Sequence, residues 1–167
     1  MAYESLEVYL TDHLALATGG LNLAQQAAER HRSHELGEFF APLAAEIKAD
    51  YATLENLIDD MNVNRSASKT ALAEVGSKLA APKFSAEGVG NENLGDLITL
   101  ETLATGVSGK RAMWSALKTV TDAYPALQAL DLDELESRAA EQFNRVEEKR
   151  LEIAPFALTH QEAGASA

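Results

Sequence analysis

Leu97–Val120 reads LITLETLATGVSGKRAMWSALKTV, and the fold turns on how this stretch is read. Leu97, Leu100, Leu103, Val107, Trp114 and Leu117 recur at intervals of three and four, the period of a buried helical face. Two charges interrupt that pattern. Glu101 falls beside the row Leu94, Leu97, Ile98, Ala104, Thr105 and Ser108, and Lys110 falls on the row Leu103, Val107, Trp114 and Leu117. A charge on an apolar helix face is costly unless it is paired or binds something. Gly106 and Gly109 carry the spacing a crossing helix needs for close approach. The helix is expected to run to about Ala123, with Pro125 ending it.

Three more helical patterns flank this one. Residues 4–31 place Leu6, Leu10, His13, Leu16/Ala17, Gly20, Leu23/Ala24, Ala27 and His31 on one stripe. Gly19–Gly20 lies mid-helix, where each glycine weakens the helix by roughly 1 kcal/mol. Close approach of a neighbouring backbone would account for the pair, and a break into two shorter helices is the competing reading. A second helix, capped by Ser33 with Glu35 in its first turn, runs to about Met61. Pro42 predicts a kink in it or a start close by. Its stripe is Leu36, Phe40, Leu43, Ile47, Asp50/Tyr51, Leu54, Leu57/Ile58 and Met61, with Glu46 one turn before Asp50. The last helix, capped by Asp131 or Asp133, carries Leu132, Leu135, Ala139, Phe143, Val146, Arg150, Ile153/Ala154 and Ala157, with Pro155 predicted to kink its final turns. Between the second and third helices, residues 62–93 form a long connection. A short extra helix around Leu72, Val75 and Leu79 is expected there, followed by the loop Ser85–Asn93. The expected fold is therefore all-α: four long helices in an antiparallel-type bundle, the long connection crossing its end. One domain covers residues 1–161, and residues 162–167 form a disordered tail.

Composition narrows the function classes. Asp and Glu number 26 against 14 Lys and Arg, a net charge of −12, which disfavours nucleic acid and anionic membrane as partners. With no cysteine there is no disulfide, thiolate metal site or thiol nucleophile. The N-terminus lacks a signal-peptide pattern, and no apolar run reaches the ~18 residues of a membrane span. A cytoplasmic protein is expected. His31 and His34 read as the end of a helix, where imidazoles complement the dipole. Ser66-Ala-Ser-Lys69 matches Ser-x-x-Lys without the other motifs of a hydrolase, and Gly88-Val-Gly90 follows no strand, so it is no dinucleotide loop.

Each long helix contributes a polar group at or beside its apolar face: His13 with Asp12, Glu46 and Asp50, Glu101 and Lys110, Glu147 and Arg150. Two readings follow. In one, Glu46, Glu101, Glu147, His13 and Asp50 ligate iron, manganese or zinc, since carboxylate and imidazole suit these ions and bundles place such ligands on facing helices. In the other, Asp12, Lys110 and Arg150 satisfy the carboxylates in a buried salt-bridge network that fixes register without a ligand. Some of these groups facing solvent, through a shift in helical phase, is the third alternative.

This alternation of core carboxylates, with the long second-to-third connection, resembles the ferritin-like superfamily of four-helix bundles. That resemblance implies a diiron pattern of one Glu on each of two helices and Glu-x-x-His on the other two. Here Glu46-Ile-Lys-Ala49 and Glu147-Glu-Lys-Arg150 stand where Glu-x-x-His would fall, so both histidines are missing. Arg150 at a ligand position argues against a dinuclear centre, because a guanidinium does not deprotonate to bind metal. The chain is also similar to bacterial helical-bundle proteins of no assigned activity. The resulting expectation is a non-catalytic or degenerate ferritin-like bundle, stress-associated or scaffold-like and a candidate homodimer, with a carboxylate-ligated metal protein as the alternative. No reaction follows from the sequence.

Overall fold

The computed structural model describes residues 2–63 and 92–159. Among them the regular structure is helical, with no strand. The elements are α1 (Ala2–Arg30), α2 (Glu35–Asp60), α3 (Glu92–Lys118), a 3-10 turn (Thr121–Ala123), the short α4 (Pro125–Gln128) and α5 (Leu132–Leu158). Four long helices and a short one are thus present. The short one described lies between the third and fourth long helices. The short helix expected around Leu72–Leu79, the Ser66–Lys69 and Gly88–Gly90 strings and the tail 162–167 lie outside the described residues. No described helix is long and apolar enough to cross a membrane.

Local chemistry sets the helix ends. Asp131 caps α5, its carboxylate accepting from the Glu134 backbone N–H at 3.0 Å. Asn62 ends α2 in the left-handed region at φ 53°, which Asn tolerates better than most residues. The Val63 N–H then reaches back to the Ile58 carbonyl, and the Val63 side chain is buried in the core. The expected end of α3 near Ala123 at Pro125 is corrected: α3 stops at Lys118, and Pro125 occupies the first turn of α4, where its missing N–H has no partner to lose. The Ser33 cap is corrected: His34 is the N-cap of α2 and makes no side-chain cap bond. Gly37 closes the α1–α2 turn instead. Its N–H donates to the His34 carbonyl at 2.8 Å, and a Cβ there would lie 2.2 Å from the His31 carbonyl oxygen. α2 starts at Glu35 and runs through Pro42, so no start lies at the proline. Pro42 and Glu38, whose carbonyl loses its helical donor, are both exposed. α1 is continuous through Gly19–Gly20, which removes the two-helix reading.

Partner positions give the helix directions. Arg145 pairs with Glu46 and Arg138 with Asp50, so α2 and α5 run oppositely. His31 at the end of α1 meets Asp96 at the start of α3, so these two are antiparallel as well. The tight turns between α1 and α2, and from α3 through α4 to α5, make two antiparallel hairpins. α2 and α3 therefore run parallel. The core divides along the bundle axis. One cluster contains Leu10, Leu14, Leu57, Ile58, Trp114, Leu117 and Leu127, and the other Ala24, Ala27, Phe40, Leu43, Leu100, Leu103 and Val146. Polar side chains and a cavity lie between them.

Candidate functional site

The break in the core begins with residues that cannot fill it. Gly19 and Gly20 on α1 and Gly106 and Gly109 on α3 line one cavity of about 460 Å³. A Cβ added at Gly20, Gly106 or Gly109 would meet nothing within 4 Å. For Gly20, Gly106 and Gly109 the expectation of close backbone contact is thereby corrected: they leave space. His13, Ala17 and Leu23 complete the α1 wall, Ile47, Asp50, Tyr51 and Leu54 the α2 wall, and Leu103, Val107, Lys110, Met113 and Trp114 the α3 wall. The volume falls within the ~300–1,000 Å³ typical of small-molecule sites, and the lining is chiefly apolar with a few polar groups, as such sites are.

Trp114 is fully buried, as its place in the apolar row predicts, yet its indole Nε1 has no hydrogen-bond partner. It is the one such side-chain atom among the described residues. Leaving an N–H buried and unpaired is unfavourable by roughly 1–3 kcal/mol, and buried tryptophans usually find an acceptor.

Beside Trp114, one turn earlier on the same face of α3, Lys110 takes part in a buried polar network. Its ammonium donates to Asp50 Oδ2 at 2.5 Å and to Gln142 Oε1. The Gln142 amide donates to the same Asp50 oxygen at 3.1 Å. Arg138 donates to Asp50 Oδ1 through Nε at 2.9 Å and through Nη2. Asp50 is 3 % exposed and Gln142 fully buried. Burial pushes the Lys110 pKa down, against the upward pull of Asp50. His13, at the rim of the cavity, is likewise pushed down by burial, opposed by Asp12. Its ring lies edge-on to Tyr9 at 4.6 Å between centroids.

The remaining expected residues do not join this network. Glu46 pairs with Arg145 on the half-exposed α2–α5 seam. Glu101 and Glu147 are brought together, but by Arg150 and at the surface. The guanidinium grips Glu147 at 2.5 and 2.9 Å and reaches Glu101 at 3.3 Å. The Glu101 side chain is 52 % exposed, so its inward placement is corrected. Arg150 holds the Glu147 carboxyl below its usual range. Asp12 is exposed. The five carboxylate and imidazole groups read as metal ligands thus fall into separate pairings. Among the described residues, no three His, Asp or Glu side chains are grouped to hold a metal ion.

Three members of the buried and half-buried polar pairings escaped the sequence reading: Arg138, Gln142 and Asp96. Gln142 sits three residues after Ala139 and four before Val146, so it occupies the stripe position assigned to Phe143. Asp96 is buried and bonds His31 Nε2 at 2.8 Å, and the His31 ring stacks on Phe40 at 5.7 Å. The helix-end reading of His31 therefore lacked its partner.

The architecture and site define a class: an all-helical bundle with a mid-level apolar cavity walled on one side by a buried ion-pair network. Comparison of the chain with known protein families, with curated proteins and with solved structures finds no match.

Proposed function

We propose that this protein is a non-catalytic helical bundle that holds a small, mainly apolar molecule in the cavity between α1, α2 and α3. The observation that carries the reading is a cavity of about 460 Å³ between three helices, lined chiefly by apolar side chains. Dry apolar cavities do persist in proteins. One bordered by Gly20, Gly106 and Gly109, helix-weakening residues with no steric need to be glycine, is better accounted for by an occupant. The Asp50 network is structural: Oδ2 accepts from Lys110 on α3 and Gln142 on α5, and Oδ1 accepts twice from Arg138 on α5, which fixes the register of α2 against α3 and α5. Glu46, Glu101 and Glu147 serve ion pairs. The antiparallel neighbours and the parallel α2 and α3 support a ferritin-like arrangement with its metal centre replaced by this network. The acidic, cysteine-free composition suits a cytoplasmic setting.

The test is titration with the neutral apolar fluorophore N-phenylnaphthylamine. Saturable binding at one site per chain, with energy transfer from the single tryptophan, is expected. Gly106→Leu fills the cavity and should abolish binding while keeping the helical circular dichroism spectrum. Absence of saturable binding to the wild type, or unchanged binding to a folded Gly106→Leu protein, overturns the reading.

A further inference from the structure

Resting on that reading, we infer that His13 makes occupancy of the cavity proton-dependent: an apolar molecule is held while the imidazole is neutral and released when the ring gains a proton. The placement comes from one helix face. His13, Ala17 and Gly20 follow one another at intervals of four and three along α1, so they stack on the same side, and all three line the cavity. The titratable groups on the other walls are Asp50 and Tyr51 of α2 and Lys110 of α3. Glu55, one turn beyond Tyr51, and Arg111, next to Lys110, do not line it. The His13 ring lies edge-on to Tyr9, and among the described residues neither of its nitrogens has a hydrogen-bond partner.

A protonated imidazole needs water or a carboxylate beside it. The one carboxylate on the cavity wall, Asp50, is taken up by Lys110, Gln142 and Arg138. Lys110 is itself a cation, and a phenol such as Tyr51 is neutral where histidine titrates. Asp12 precedes His13 in the chain, and neighbouring helix positions do not face each other. Its exposed carboxylate attracts the ring's charge without bonding it, and burial outweighs that attraction and holds His13 below its ordinary pKa. An apolar occupant takes water from the cavity side of the ring, which penalises the charged form alone. Linkage is reciprocal, so an occupant that weakens proton binding is itself bound more weakly by the protonated chain, by the same factor. Affinity is therefore full above the ordinary histidine pKa of about 6.5 and falls as pH drops through the lower folded-state value. It levels off once His13 is protonated in the loaded chain as well.

The experiment is titration of the wild type and of His13→Gln with N-phenylnaphthylamine between about pH 7.5 and 5, the histidine range, with circular dichroism recorded throughout to confirm the fold. The diarylamine nitrogen of the probe carries no charge in this range. Wild-type affinity is expected to fall by about threefold to tenfold toward the acid end, tenfold corresponding to a His13 pKa lowered by about one on loading. His13→Gln should match the wild type at the neutral end and lose most of the fall. Independently, proton NMR titration of the His13 imidazole, one of four in the chain and assigned through its contact with Tyr9, should give a lower pKa with the probe bound than without it. That measurement needs no variant, so it decides the matter if His13→Gln fails to fold. Equal affinities across the range, an undiminished fall in folded His13→Gln, or a His13 pKa unmoved or raised by the probe overturns the inference and leaves the cavity reading standing. Failure of the fluorophore to bind even at the neutral end removes both.

Discussion

Alanine in place of Gly20 or Gly106 should make this protein more stable, and the size of the effect can be worked out. A glycine in a helix interior is about 0.8–1.0 kcal/mol less favourable than alanine, largely through the freedom it gives the unfolded chain. That gain is realised only where the new methyl meets nothing. At both positions an added Cβ has no neighbour within 4 Å, so no steric term offsets it. Each substitution should stabilise by about 1 kcal/mol, and the pair by about 2 if the two act independently across the cavity. In a chain of this length, 1 kcal/mol moves the melting temperature by roughly 2–4 °C, so the double variant should melt about 4–8 °C higher. Urea and thermal unfolding followed by far-UV circular dichroism measure this directly. Gly37→Ala is the internal control. Its Cβ would lie 2.2 Å from the His31 carbonyl oxygen, and it should destabilise by roughly 1–3 kcal/mol, the range for overpacking. A Gly20→Ala or Gly106→Ala protein that is clearly less stable than the wild type would mean that α1 and α3 approach closely. The reasoning from cavity to ligand would then fail.

Three further outcomes follow. Asp50→Ala leaves Lys110 buried without its carboxylate and should cost roughly 3–5 kcal/mol. Adding Lys110→Met should recover part of that loss in a double-mutant cycle, whereas a purely additive cycle would deny the coupling. Arg150→Ala, by contrast, breaks a bridge at the surface to a Glu101 side chain that is 52 % exposed, and should leave the melting temperature nearly unchanged. His13 is held below its ordinary pKa in the folded chain by burial, so protonation favours the unfolded state. Stability should therefore be full above the ordinary histidine pKa of about 6.5 and fall as pH drops through it, levelling off below the folded-state pKa. His13→Gln should flatten that part of the pH profile, and an identical profile in the variant would remove His13 as its source.

Long apolar periodicity made the four helices legible, because burial of one face recurs every three or four residues whatever the partner is. Lys110 and Asp50 were legible for the same reason: each stands on a row that is otherwise apolar. Glu101 and Arg150 were misplaced inward because they stand at the edge of a row. A small rotation of a helix there carries a side chain from core to solvent, and periodicity does not fix that angle. Gln142 gave no signal as a fault, since an uncharged side chain interrupts an apolar stripe less visibly than a charge, and Phe143 beside it offered a more apolar alternative. Arg138 and Asp96 find their partners on helices distant in sequence, a pairing that no local pattern encodes. The glycines were the clearest anomaly and the least interpretable one. Close helix contact and an open cavity ask for the same missing side chain, and only the space around an added Cβ separates them.

The central claim, that an apolar molecule occupies the mid-bundle cavity beside Trp114, is tested most directly by the indole N–H resonance of the single tryptophan in a nitrogen-15 correlation spectrum. The account predicts one indole peak that shifts on titration with N-phenylnaphthylamine as the cavity beside the ring fills, and that stays in place in Gly106→Leu. An indole peak that does not move at any soluble concentration of N-phenylnaphthylamine would contradict it.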